Sequence, residues 1–113
     1  MENLESIIDD LIDATNSGKI KWVEDKNAFD PSRGDFVVNA GRYVINIYGW
    51  QGDVDEGGVT LRLVDEKDNV IDSVNTKDND YLKDKIWFLH KCARGNASDV
   101  SGAIQEVRAA LGI

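Results

Sequence analysis

The sequence has few of the side chains on which many catalytic and metal sites depend. Its 113 residues include one histidine, one cysteine and one proline. This chain therefore lacks the Cys/His cluster of a zinc site, and Cys92 alone cannot form an internal disulfide. Phosphate-binding motifs of the Walker and dinucleotide types are also missing. We predict no catalytic residue, no metal site and no cofactor, and a protein that is not an enzyme.

Long hydrophobic runs are missing too. No segment approaches the roughly 20 consecutive apolar residues that a membrane-spanning helix needs. The opening residues, Met-Glu-Asn-Leu-Glu, lack the basic stretch and apolar core of a signal peptide. We therefore expect a cytoplasmic protein with no membrane association.

Basic residues are too few to balance the acidic ones. The chain has 21 Asp and Glu against 13 Lys and Arg, which gives a formal charge of -8. The electrostatic field of this negative charge repels the phosphate backbones of nucleic acids and accelerates encounters with basic proteins. It disfavours direct nucleic-acid binding and favours a basic protein partner. The alternative is that the charge serves solubility alone.

Apolar residues make up 42% of the chain, enough for the core of one domain that spans residues 1–113. Leu4, Ile8 and Leu11 recur at helical spacing and predict an N-terminal amphipathic helix. Asn16-Ser17-Gly18 should end it, because glycine adopts the left-handed conformation that closes a last turn.

Alternating or strand-like segments follow the helix. They cover residues 19–24, 35–39, 42–50, 59–64 and 70–74. No helical segment separates them, so we predict an antiparallel meander of four to five strands. Residues 25–34 contain the only proline and predict a loop anchored by Phe29.

Two helices are predicted at the C-terminal end. Leu82, Ile86 and Leu89 form the apolar stripe of a helix from about residue 81 to 94, which Gly95-Asn96 should stop. A last helix should start at Ser98 or Asp99, with a stripe that ends at Leu111. The predicted class is α+β, with the N-terminal helix, the meander and two C-terminal helices packed on one sheet face. Trp22 and Trp87 are predicted core residues.

The strongest candidate site combines two aromatic residues with an acidic loop. Tyr48 and Trp50 lie at the end of a predicted strand, directly before Asp53, Asp55 and Glu56. Aromatic residues beside carboxylates are typical anchors for protein partners, and this pair would suit a basic one. In the alternative interpretation, Tyr48 and Trp50 cover the sheet under a helix, and the three carboxylates form a solvated loop tip.

Two segments also resemble known proteins. Residues 11–22, which read Leu-Ile-Asp-Ala-Thr-Asn-Ser-Gly-Lys-Ile-Lys-Trp, and residues 59–65 resemble short bacterial and phage-associated proteins of unknown function. The resemblance implies a helix that leads into a sheet and a bacterial or phage setting. It carries no catalytic residues.

Three functional classes stay open. The first is a small protein-binding module, such as an immunity protein, an antitoxin-like inhibitor or a defence-associated accessory subunit. The second is a small-molecule sensor or carrier with a pocket near Trp22, Tyr43 or Trp87. The third is a self-associating structural subunit, a homodimer formed through a sheet face or edge. Small size, negative charge and the lack of catalytic motifs favour the first class.

Overall fold

The computed structural model describes residues 2–24, 36–51, 57–98 and 100–113, without the side chains of Val100 and Ser101. Within these ranges the chain forms three helices and five strands. They are α1 (Ile8–Asn16), β1 (Val23–Glu24), β2 (Phe36–Ala40), β3 (Tyr43–Gln51), β4 (Gly57–Val64), β5 (Val70–Asn75), α2 (Lys83–Ala97) and α3 (Val100–Leu111). Short 3-10 turns, Leu4–Ile7 and Asp80–Leu82, precede α1 and α2. The predicted α+β class is confirmed.

The strands form one antiparallel meander in the order β1-β2-β3-β4-β5. The register places Ile47 between Phe36 and Leu61 on the neighbouring strands, and all three side chains are buried. This face of the sheet is the core face. The predicted loop at 25–34, with Phe29, lies outside the described residues.

Helices α1 and α2 pack side by side on the core face. Ile8 of α1 is 1% exposed, and Ile86 and Leu89 of α2 are fully buried. At the surface, the Tyr81 hydroxyl donates to Glu5 Oε2 at 2.7 Å, and Lys85 Nζ donates to Asp9 Oδ2 at 3.1 Å. Both contacts join residues 76 positions apart, so the two helices run in the same direction.

The end of α2 is fixed by the side chain of Asn96. Its Oδ1 accepts from the backbone N–H of Trp22 at 2.7 Å, and its Nδ2 donates to the carbonyls of Ile20 and Thr15 at 2.9 and 3.1 Å. The prediction that Gly95-Asn96 stops this helix is wrong, because α2 continues through both residues. The helix ends instead where Ser98 takes an extended backbone conformation.

Trp22 is fully buried as predicted, whereas the prediction that Trp87 is a core residue is wrong. Trp87 is 42% exposed, since it lies away from the buried stripe of Ile86 and Leu89. Of the two C-terminal helices, α2 packs against the sheet, whereas the apolar stripe of α3, which includes Ile104 and Val107, is exposed. Among the described helices, none combines the length and apolar character needed to cross a bilayer.

Strand β5 lies at the edge of the sheet, and local side chains bind its backbone. Asp72 Oδ1 accepts from the N–H of Ser73 at 2.8 Å, and Asn79 Oδ1 accepts from the N–H of Asn75 at 3.1 Å. The carbonyl of Asn75 in turn accepts from the N–H of Asn79. Asp72 Oδ2 accepts from the backbone N–H of Leu4 at 2.9 Å, which ties the N-terminal turn to this strand.

Candidate functional site

Both aromatic residues of the predicted site lie on the sheet face opposite the core. Successive side chains of a strand point to opposite faces, so Tyr48 and Trp50 share one face of β3 while Ile47 faces the core. Tyr48 and Trp50 are half-buried. The other three predicted site residues, Asp53, Asp55 and Glu56, lie outside the described residues, and their role stays a prediction.

Arg62 joins this face from β4. The register pairs Arg62 with Asn46, and Nε and Nη2 of Arg62 both donate to Asn46 Oδ1, at 3.2 and 2.7 Å. Its guanidinium carbon lies 4.6 Å from the centre of the Tyr48 ring, within the range of a cation–π contact. Asn46 is buried and its Nδ2 donates to the carbonyl of Phe36 at 3.2 Å. The guanidinium is therefore held in one orientation over the aromatic ring.

Trp50 occupies space that Gly58 leaves free. The two residues are cross-strand partners, and a methyl group added at Gly58 would collide with the indole of Trp50 and the hydroxyl of Thr76. The predicted strand begins at residue 59, but Gly58 already lies within β4. Its lack of a side chain allows the indole to approach the sheet backbone closely. We call Asn46, Tyr48, Trp50, Gly58 and Arg62 the aromatic–arginine face.

The aromatic–arginine face can bind a hydrogen-bond acceptor. Of the described residues, none accepts from Nη1 of Arg62, so this nitrogen can donate to a carboxylate or a carbonyl of a ligand. The Tyr48 ring supplies apolar surface beside it, and Trp50 follows two residues further along β3 on the same face. Such an arrangement is chemically complementary to a surface with one acceptor surrounded by apolar groups.

The single histidine and the residues named for the sensor hypothesis lie in different surroundings. His90 is 4% exposed and packs between the rings of Phe36 and Trp87, with centroids at 5.7 and 6.4 Å, which indicates a structural role. Of the three residues named for the sensor hypothesis, Trp22 is fully buried, Trp87 is 42% exposed and Tyr43 lines a polar cleft of about 320 Å³. In the described part of the chain, no group of three His, Cys, Asp or Glu side chains is placed to hold a metal ion.

Sequence reasoning missed Asn46, Gly58 and Arg62 as parts of the site. Strand alternation places Asn46 on the face of Tyr48 and gives one signal that could have found it. The Asn46–Arg62 pair depends on the register between β3 and β4, which alternation does not determine. Comparison of the chain with protein-family models, with curated proteins and with solved structures found no match.

Proposed function

We propose that this chain is a protein-binding module that acts by occupying a partner rather than by catalysis, and that the partner docks on the aromatic–arginine face. The orientation of Arg62 supports this proposal most directly. Asn46 and Tyr48 hold the guanidinium before any ligand arrives. A preorganised side chain loses less conformational entropy on binding, so more of its contact energy appears as affinity.

The residue types on this face also support a protein partner. Arginine, tyrosine and tryptophan are enriched among the few interface residues that contribute most of the binding energy. Here all three lie on two neighbouring strands and are half-buried. Their shared orientation fits one partner surface that covers them together.

The net charge of -8 acts at longer range than these contacts. It accelerates association with a basic protein, while Arg62 needs an acceptor group at the point of contact. We propose a partner that is basic overall and presents a carboxylate or carbonyl to Arg62. An immunity protein or inhibitor, which blocks a target by binding it, is the class that we favour.

Affinity capture with paired variants tests this proposal. The tagged chain is used to isolate partners from a lysate of the organism that encodes it, at low and at high salt. We expect one stoichiometric partner that is lost with Arg62→Ala and Tyr48→Ala and is weakened by salt. Thermal unfolding of each variant shows whether the fold is retained.

Arg42 and Tyr43 provide the matched control. The Arg42 guanidinium lies 5.5 Å from the Tyr43 ring at an exposed turn, so Arg42→Ala removes a similar Arg–Tyr contact outside the aromatic–arginine face. We expect this variant to retain the partner. Equal capture by folded Arg62→Ala and wild-type protein would show that another surface binds.

A further inference from the structure

Helix α3 has an apolar stripe that the rest of the described chain leaves exposed. Ile104, Val107 and Leu111 follow one another at spacings of three and four residues, so they share one face of the helix. Their exposed fractions are 49%, 54% and 67%, and every residue from 103 to 113 is exposed. We call these three residues the α3 stripe. It is separate from the aromatic–arginine face, which lies on the sheet.

Helix α3 lacks the main source of helix stability in proteins. Isolated helices shorter than about 12–15 residues are marginal in water, and α3 has 12 residues. Packing of an apolar face normally supplies the missing stability. Among the residues of α3 whose side chains are described, none is buried. A partner that covers the α3 stripe would therefore stabilise the helix.

The charge distribution favours a second copy of the chain as this partner. Residues 100–113 contain one acidic residue, Glu106, and one basic residue, Arg108, so the segment is neutral. The other 20 acidic and 12 basic residues lie in residues 1–99, which therefore carry the whole net charge of -8. Two copies repel each other through residues 1–99, whereas at α3 they meet without an excess of one sign. A basic protein is attracted to residues 1–99 and gains no such attraction at α3.

The sequence of α3 fits an antiparallel pair. Around a two-fold axis, Ile104 of each copy lies opposite Val107 of the other, and Leu111 extends the contact at both ends. Helical spacing places Ala103 and Ala110 along one side of the α3 stripe, where small side chains allow the two helix axes to approach closely. The same spacing places Arg108 on the other side and Glu106 further away, so neither charge enters the apolar contact.

Antiparallel pairing also keeps the acidic parts of the two copies apart. In each copy residues 1–99 precede the first residue of α3, and 12 residues at 1.5 Å each give a helix of about 18 Å. The two acidic parts then attach at opposite ends of the pair. This separation exceeds the roughly 8 Å over which physiological salt screens charges. A parallel pair would place both acidic parts at the same end.

We infer that α3 mediates a homodimer in which the α3 stripes of two copies pack antiparallel. The contact contains few large side chains and is smaller than the roughly 1,200 Å² of a standard interface, so the dimer is transient, with a Kd of about 10–100 µM. The contact differs from the sheet face or edge predicted for a homodimer from the sequence. It does not depend on the proposed function of the aromatic–arginine face.

Sedimentation equilibrium of the full chain tests the dimer, at concentrations from about one tenth to ten times this Kd. Val107→Glu and Val70→Glu form a matched pair, because the two valines are 54% and 51% exposed and each variant gains one negative charge. We expect wild type and Val70→Glu to dimerise alike and Val107→Glu to raise the Kd about tenfold or more. Circular dichroism confirms that both variants are folded.

Three outcomes of this measurement would overturn the inference. The first is a monomer at every concentration. The second is a dimer that Val107→Glu does not weaken. The third is a dimer that Val70→Glu weakens instead, which would assign the contact to the edge strand β5.

A spin label tests the orientation of the two helices. It is attached to Ala109→Cys in a Cys92→Ser background, and this protein is mixed with isotope-labelled wild type. Helical spacing places Ala109 outside the α3 stripe. We expect the strongest intermolecular NMR broadening at the amides around Gly102, which an antiparallel pair brings beside the label. Strongest broadening around Ala109 itself would show parallel pairing and contradict the inferred arrangement. Isotope-labelled Val107→Glu, the control, should lose the broadening.

Discussion

The indole N–H of Trp22 donates to the hydroxyl of Thr15 at 2.9 Å, and both side chains are buried. The same hydroxyl donates to the carbonyl of Leu11 at 2.6 Å, so it continues a chain of hydrogen bonds from the residue before β1 into α1. Thr15 thus allows the largest buried side chain to enter the core without an unpaired polar atom.

Thr15→Val keeps the shape of the side chain but leaves the Trp22 N–H without its acceptor. An unpaired buried donor costs about 1–3 kcal/mol, and we expect the free energy of unfolding to fall by that amount. Urea denaturation measures it. Ser17→Ala, which removes an exposed hydroxyl two residues away, should change stability by less than about 0.5 kcal/mol. Equal stability of the two variants would contradict the role assigned to Thr15.

Asn96→Ala should be more harmful than Thr15→Val. It removes three hydrogen bonds that join α2 to the Thr15–Trp22 segment. The Asn96 side chain accepts one of them and donates the other two. With a net value of roughly 0.5–1.5 kcal/mol for each hydrogen bond, we expect a loss of about 2–4 kcal/mol. Asn39, which is exposed on β2, provides the control Asn39→Ala. A loss no larger than that of the control would show that the three bonds are replaced by water.

Gly58→Ala should destabilise the protein by about 1–3 kcal/mol, because the added methyl group displaces Trp50 or Thr76. In Gly57→Ala the methyl group would lie 3.6 Å from the Trp50 carbonyl, an ordinary contact, so this variant is the control. Trp50→Ala removes the indole, which is one of the two groups that the added methyl group would meet. A double-mutant cycle should therefore show that Gly58→Ala costs less in that background, and strict additivity would contradict the contact.

Asp65 should titrate below its ordinary pKa. Its Oδ1 accepts from the backbone N–H groups of Asn69 and Lys67, at 2.9 and 2.8 Å. The Asn69 bond is the main cause that lowers the pKa of Asp65 from 3.8, with Lys67 contributing in the same direction. Because the pKa of Asp65 is lower in the folded than in the unfolded protein, the ionised carboxylate stabilises the fold. This contribution is fully present above the unfolded pKa. It is lost as the pH falls through the folded pKa.

An NMR titration of the Asp65 carboxyl carbon measures this pKa directly. Asp65→Asn should abolish the corresponding acid-dependent part of stability, whereas Glu66→Gln, an equal charge change in the same turn, should retain it. An Asp65 midpoint at or above 3.8 would contradict the prediction.

Tyr81 should show the opposite dependence at alkaline pH. Its hydrogen bond to Glu5 is the main cause that raises the pKa of Tyr81 above 10.0. Because the pKa of Tyr81 is higher in the folded than in the unfolded protein, the protonated hydroxyl stabilises the fold. This contribution is fully present below the unfolded pKa and is lost as the pH rises through the folded pKa. Ultraviolet titration of wild type and Glu5→Gln should place the Tyr81 transition at lower pH in the variant. Identical transitions would show that Glu5 does not control Tyr81.

The sequence predicted the meander well because its signals are local. Alternating apolar residues identify Ile45 and Ile47 as core, and the absence of a helical segment between strands requires antiparallel neighbours. Gly18 was predicted to end the first helical segment, and it has the left-handed backbone that this requires, with φ of +76°.

The errors concern residues whose roles depend on distant partners. Gly95-Asn96 has the composition of a helix stop, but hydrogen bonds to Ile20 and Trp22 hold Asn96 within α2. Trp87 has the hydrophobicity of a core residue, yet its position around the helix is away from the sheet. At the candidate site, alternation places Tyr48 and Trp50 on one face, but only the register of β3 and β4 brings Arg62 to Tyr48.

The hydrogen bonds along β5 have a consequence for behaviour in concentrated solution. An uncovered edge strand can template the addition of a strand from another molecule, which leads to fibrous aggregates. Here the N–H groups of Ser73 and Asn75 are occupied by Asp72 and Asn79. An incoming strand would have to displace both side-chain oxygens from these N–H groups and would approach the negative charge of Asp72. This edge therefore resists amyloid-like growth even though Val70 and Ile71, at its start, are exposed and apolar.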